Sequence, residues 1–152
     1  MSAAATPSGT TPQPGYAGDV TPERAWEILS EDDGAVLVDV RTRPEWAYVG
    51  VPDTSDLGRD VVLAEWVSYP TGAPNPAFVD ELRAAGLEPG DERPIVFLCR
   101  SGQRSIGAAL AATAAGFGPA FNILDGFEGG LDPQGHRGAR GWRAVGLPWR
   151  QS

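Results

Sequence analysis

Four short apolar runs, rich in β-branched residues, alternate with segments of helical character, and this alternation constrains the fold more than any other feature of the chain. The runs are AVLVDV (Ala35–Val40), VVLAEW (Val61–Trp66), PIVFL (Pro94–Leu98) and AFNIL (Ala120–Leu124). An almost wholly apolar strand of this length is buried on both faces, as strands of parallel sheets are. The segment TPERAWEIL carries Thr21 as a helix N-cap, Pro22 at the first helical position, Glu23 in the first turn, and Ala25, Trp26, Ile28 and Leu29 as an apolar face. NPAFVDELRAAG reads as a second helix capped by Asn75, with Pro76 at its first position and Gly86 as its stop, and QRSIGAALAATAAG as a third that ends at Gly116. Strands alternating with helices over short connections predict an α/β fold, an open parallel β-sheet flanked by helices on both faces. A length of 152 residues suits one domain with a core large enough to need neither disulfide nor metal.

Residues 1–18 are mostly Ser, Thr, Pro, Gly and Ala with almost no charge, which predicts a flexible tail ahead of a single domain over residues 19–152. The start has neither a basic stretch nor an apolar core of the kind a secretory signal needs, and no apolar run is long enough to span a bilayer, so a cytoplasmic protein is expected. The net charge of −8, with no lysine at all, argues against nucleic acid or an anionic membrane as the partner. The charge is uneven. Residues 1–92 hold seventeen acids and five arginines, whereas residues 93–152 hold three acids and seven arginines. Between Pro94 and Leu124 the only charged side chains are Arg100 and Arg104.

The single cysteine, Cys99, lies in that segment. One cysteine excludes an internal disulfide and a cysteine zinc site, and one histidine, His136, excludes a two-histidine metal site. Cys99 follows directly on PIVFL, at the carboxyl edge where open parallel sheets bind ligands, and Asp39 near the end of AVLVDV reaches the same edge. The loop RSGQRS comes next and then a helix begins. Gly102 permits a positive φ that turns successive backbone N–H groups inward, the helix start adds unpaired N–H groups, and Arg100 and Arg104 add full charges. All of these favour a nucleophilic thiolate. The competing reading is a core cysteine at a strand end, since free cysteines are among the most buried residues. No histidine stands near in sequence to make a Cys–His protease pair.

CRSGQRS resembles the active-site loop of the rhodanese family of sulfurtransferases. LVDVRTRPEW (Leu37–Trp46) resembles that family's Asp-x-Arg strand end with its following Glu and aromatic residue, TPERAWEIL its first helix, and GFEGG (Gly126–Gly130) and GWRAVGLP (Gly141–Pro148) its closing segment. The resemblance implies Cys99 as the sulfur-accepting nucleophile and Arg100, Ser101, Gly102, Gln103, Arg104 and Ser105 as the loop that binds donor and persulfide. Within that loop Arg104 closes the ring, while Asp39 and Arg41 support it by hydrogen bonds or an ion pair. The implied reaction is a double displacement. It takes a sulfane sulfur from a small donor such as thiosulfate or a persulfide and passes it to cyanide, a thiol or a protein acceptor, without metal or cofactor.

Two other functions stay open at this level. A cysteine-dependent phosphatase or arsenate reductase uses a related loop, but four residues separate Cys99 from Arg104 here where such phosphatases have five. The smaller ring suits one sulfur atom better than a tetrahedral oxyanion. A non-catalytic rhodanese-like module that binds partners or carries sulfur is the second alternative.

The chain also departs from the family's pattern. The Gly-His-Ile-Pro of many members is GVPDTSDLGRD here (Gly50–Asp60), without the histidine. The long crossover after it offers Trp66, Tyr69, Asn75 and Phe78 as candidate pocket walls. LDPQGHRGARG (Leu131–Gly141) reads as an insertion, either a positive lid carrying His136, Arg137 and Arg140 or a solvated loop. Trp142 and Trp149 are expected to seal the core against the first helix.

Overall fold

The computed structural model describes residues 8–68 and 70–151. Its centre is a six-stranded sheet in the order β1-β2-β7-β6-β3-β5. The strands are β1 (Thr10–Gln13), β2 (Tyr16–Val20), β3 (Val36–Asp39), β5 (Val62–Leu63), β6 (Ile95–Leu98) and β7 (Ala120–Ile123). All neighbours pair in parallel except β1, which runs antiparallel to β2 at one edge with a register irregularity between Thr11 and Gln13, at Pro12. A separate two-stranded ribbon joins β4 (Val51–Pro52) to β8 (Trp149–Arg150).

Because strand side chains alternate between faces, each apolar strand feeds two cores. From β6, Ile95, Phe97 and then Cys99 join Val38, Val40, Phe78, Leu82, Ala108, Ala109 and Ala112 on one face. That face is covered by α3 (Phe78–Ala84) and α4 (Arg104–Ala114). Val96 and Leu98 point the other way, into a cluster with Leu37, Ile123, Phe127, Trp142 and the residues Ala25, Ile28 and Leu29 of α1 (Pro22–Glu31). The expected α/β fold, with helices on both faces, is therefore what forms. The small α2 (Arg43–Tyr48) sits at the carboxyl edge of the sheet, just beyond β3.

The first helix begins as expected: the Thr21 hydroxyl accepts the Arg24 N–H at 3.1 Å, and Pro22 occupies the first turn. Four expectations need correction. The tail expected through residue 18 is structured from Thr10 onward, and residues 1–7 lie outside the described residues. Polar side chains bond to one another across the turn, Gln13 Nε2 and Tyr16 OH both donating to Asp19, and β2 then pairs with β7. The strand expected over Val61–Trp66 shrinks to Val62–Leu63 at the sheet edge. The helix expected from Pro76 starts at Phe78, because Asn75 forms a turn ahead of it: its Oδ1 accepts the Ala77 N–H at 3.0 Å, while its Nδ2 donates to Glu65 O and to Glu81. Trp142 is fully buried and packs edge-on against Trp26 of α1, as expected, but Trp149 is 39% exposed and packs on Phe127 instead.

Candidate active site at the carboxyl edge of the sheet

Cys99 is the first residue past β6, and strand alternation turns its side chain toward α4. It is only 1% exposed. The Gly102 N–H donates to its Sγ at 3.1 Å, and Ser105 Oγ lies 3.2 Å from Sγ. Gly102 has φ +95, a backbone state open to glycine, and this lets the loop double back so that its N–H meets the sulfur three residues upstream. Of the expected nest of N–H groups, Gly102 supplies the one that bonds Sγ among the described residues.

The loop is held from behind by the segment after β7. Phe127 N–H donates to the Cys99 carbonyl at 2.8 Å, and the Glu128 and Gly129 N–H groups donate to the Arg100 carbonyl at 2.9 and 3.2 Å. These bonds fix the direction of both carbonyls, toward the segment after β7. Since each peptide is planar and trans, the N–H groups of Arg100 and Ser101 are thereby turned to the opposite side. Gly126 makes the contact possible: at φ +57, a Cβ placed on it would fall 2.3 Å from the Cys99 carbonyl oxygen.

Arg104 opens α4 and points its guanidinium at α2, where Nη1 and Nη2 meet Glu45 Oε1 and Oε2 at 2.8 and 2.9 Å. The Thr42 N–H and hydroxyl both donate to the same Glu45 Oε1, so this carboxylate caps α2 and clamps Arg104 at once. Burial pushes the Glu45 carboxyl up, but the bonds from Arg104 and Thr42 outweigh it and hold its pKa below the ordinary carboxylate value. Arg104 is raised above its ordinary value by its hydrogen bonds to Glu45 and by the Glu45 charge, with burial opposing. The full positive charge expected beside Cys99 is thus balanced by Glu45, while Arg100 faces solvent.

Asp39 and Arg41 are both fully buried and pair with each other, Arg41 Nη2 to Asp39 Oδ2 at 2.7 Å. Arg41 also donates to Gly50 O at 2.7 Å and lies 4.2 Å from the centre of the Phe127 ring. Among the described residues no hydrogen bond joins either of them to residues 100–104. Their connection to the loop runs through Phe127, whose N–H holds the Cys99 carbonyl.

Beneath the sulfur, a buried polar chain leads back to β2. Ser105 Oγ donates to Asn122 Oδ1, and Asn122 Nδ2 donates to Asp19 Oδ1 at 2.9 Å. The same Asp19 oxygen accepts Tyr16 OH at 2.8 Å. Burial, then the hydrogen bond to Asp19 and its negative charge, push the Tyr16 phenol up to about 12.

The remaining candidates fall elsewhere. Phe78 is core, stacked edge-on with Trp66 at 5.2 Å, and Asn75 ties the crossover to α3, so neither the buried Phe78 nor the bonded Asn75 is placed as a pocket wall. Tyr69 lies outside the described residues. The 131–141 insertion folds onto the 126–130 segment, with Gly138 N–H donating to Glu128 O and Arg137 to Gly129 O, both at 2.9 Å, and His136 is exposed. Among the described residues no group of three His, Cys, Asp or Glu side chains is placed to hold a metal. Sequence reasoning quoted Glu45 only as part of the LVDVRTRPEW motif and gave it no role, and it missed Asn122 and Asp19. The Thr42-x-x-Glu45 spacing of a capping box was the readable signal for the first. Asn122 looked like an ordinary strand residue, and Asp19 stood just past the stretch read as a tail.

A family model described as the STR4 middle domain matches residues 17–152. The chain belongs to the rhodanese-like family. This rhodanese-like chain is 60% identical to Rv0390 of M. tuberculosis, whose crystal structure superposes with a TM-score of 0.81 over 90% of this chain and 99% of that one. It is 29% identical to the rhodanese-like domain-containing protein 4, chloroplastic, of Arabidopsis thaliana, covering 84% of this chain and 24% of that longer protein. The solution structure of the polysulfide-sulfur transferase homodimer of Wolinella succinogenes is 26% identical, with a TM-score of 0.56, over 86% of this chain and 76% of that one. The rhodanese-like membership places the protein in a sulfurtransferase-type family.

Proposed function

We propose that this rhodanese-like domain is a sulfurtransferase that works through a persulfide on Cys99. The observation that carries the reading is the small ring itself. A cysteine at the ligand edge of a parallel sheet receives a backbone N–H on its sulfur, and after four intervening residues an arginine fixed by Glu45 closes the loop. The Cys99 thiolate attacks the outer sulfur of thiosulfate, a new S–S bond forms, the donor's S–S bond breaks, and sulfite leaves with the electron pair. Cyanide, a thiol or a protein acceptor then attacks the outer sulfur of the persulfide, and the Cys99 thiolate is regenerated. Two displacements at one nucleophile replace one harder direct transfer. Loop N–H groups favour the anionic sulfur as oxyanion-hole donors favour oxygen. A persulfide or polysulfide is an equally suitable donor, since the site asks only for a terminal sulfane sulfur. A reducing compartment such as the cytoplasm fits a nucleophile that must stay a free thiol. Among the described residues no helix is long and apolar enough to cross a membrane.

Intact-mass measurement after thiosulfate treatment tests the reading. One added sulfur on the wild-type chain and none on Cys99→Ser is the expected result. No adduct from thiosulfate, polysulfide or a small-molecule persulfide overturns it, and phosphatase turnover without an adduct moves the assignment to the phosphatase reading.

A further inference from the structure

The polar chain under Cys99 has only one consistent set of donors. Asp19 accepts from Asn122, Tyr16 and Gln13, as a carboxylate does. The Asn122 group facing it must therefore be the NH2, which leaves the amide oxygen facing Ser105. An amide oxygen cannot donate, so the single Ser105 proton goes to Asn122. Ser105 Oγ then has only lone pairs to offer Cys99 Sγ, 3.2 Å away, and that contact is satisfied solely by an S–H donating to Oγ. Sγ at the same time accepts from Gly102. A neutral thiol, one donor and one acceptor, fills both positions. A thiolate would face an oxygen lone pair until the Ser105 hydroxyl swung away from Asn122. Cys99, Ser105 and Asn122 are all buried, so water does not replace a lost partner cheaply.

We propose that Asp19, acting through Asn122, fixes Ser105 as a hydrogen-bond acceptor toward Cys99 and so holds the resting cysteine as a thiol until its proton is lost to water or a buffer base. Ser105, Asn122 and Asp19 are positioning residues, and the N-terminal hairpin thereby bears on the reactivity of a cysteine 80 residues further along the chain. The inference rests on the sulfur-transfer reading for its catalytic meaning. Its test does not need sulfur transfer. The charged and titratable groups around the pair are Arg104 on α4, Glu45 on α2 behind it, the Asp39–Arg41 pair at the end of β3, Asp125 beside Gly102, and Tyr16 next to Asp19. All of them are unchanged in the variants compared, apart from Asp19 itself.

The experiment is the rate of Cys99 alkylation by iodoacetamide against pH, followed by intact mass on the full chain, for wild type, Ser105→Ala, Asp19→Ala and the double variant, with circular dichroism confirming the fold. In Ser105→Ala the midpoint of the rate profile moves to lower pH, and below the wild-type midpoint alkylation speeds up about threefold or more, as expected for losing one hydrogen bond to the thiol. Asp19→Ala shifts the profile in the same direction, but hardly at all when Ser105 is already alanine. An unchanged or raised midpoint in Ser105→Ala overturns the proposal. An Asp19→Ala shift of equal size in both backgrounds also overturns it, because Asp19 would then act by charge alone. A failed thiosulfate adduct alongside the expected alkylation profiles would count against the sulfur-transfer reading only.

Discussion

Glu45 and Arg104 lie 59 residues apart in the chain and meet in a two-pronged ion pair of 2.8 and 2.9 Å that ties α2 to the first residue of α4. The two side chains are 18% and 26% exposed, at the rim of the site, so the pair contributes modestly to stability and strongly to geometry. In Glu45→Ala, Arg104 is released and α2 loses its cap. Stability in urea is expected to fall by about 1–2 kcal/mol, from the lost cap and charge-assisted bonds. The rate of persulfide formation with thiosulfate is expected to fall about tenfold, as the loop loses its closing contact. Urea melts and quenched-flow mass measurements give the two quantities separately.

The same pair predicts a pH signature. The folded state holds the Glu45 pKa below its ordinary value of 4.5. A depressed carboxylate contributes stability that is present above its unfolded pKa and is lost as pH falls through the folded one. The stability difference between wild type and Glu45→Gln is therefore expected to be constant from neutral pH down to about 5 and to shrink steadily below it. A series of urea melts from pH 7 to pH 3 checks this. A difference that grew on acidification would contradict the ion-pair assignment.

Gly126 offers a mutational test of the loop's backing. A methyl group there would overlap the Cys99 and Arg100 carbonyls, at a φ of +57 that side chains resist. Gly126→Ala is expected to destabilise the fold by about 2–4 kcal/mol, combining backbone strain with overpacking. Persulfide formation should fall with it, because the Phe127 and Glu128 bonds that fix the direction of the loop carbonyls can no longer form together. Thermal melting and the thiosulfate mass assay measure both effects.

The buried Asp39–Arg41 pair acts at one remove from the sulfur. Arg41→Met strands the Asp39 carboxylate in a dry site and is expected to cost about 3–5 kcal/mol. Adding Asp39→Leu removes the stranded charge, so the double variant should be more stable than Arg41→Met alone. Denaturant titration of the single and double variants shows whether the pair is retained for its charge or for the way Arg41 carries Phe127.

The parts of the fold legible in sequence are those with strong local signals. β3, β6 and β7 are short apolar runs, Thr21-Pro22 marks the start of α1, and Gly116 marks the end of α4. Cys99 at the sheet edge followed from the same signals, because strand and helix bracket it. The N-terminal hairpin was hidden by its composition: Gln13, Tyr16 and Asp19 are ordered by bonds to each other and to Asn122, partners that local propensity does not weigh. α2 was hidden by its shortness and by Pro44, since six residues carry too little periodicity to read, and its cap is shared with a residue on another helix. The charge on Arg104 was legible but its balance was not, for an ion pair between residues so far apart is a property of the folded chain.

The two outer strands have a bearing on how this chain behaves in company. β5 is only two residues long, and β1 carries Pro12 within its four residues, where the pairing with β2 loses register. Neither edge presents an unbroken row of backbone donors and acceptors on which a second sheet could continue. A crowded population of these molecules should therefore stay dispersed through transient partial unfolding that would drive a flat-edged sheet into fibrils.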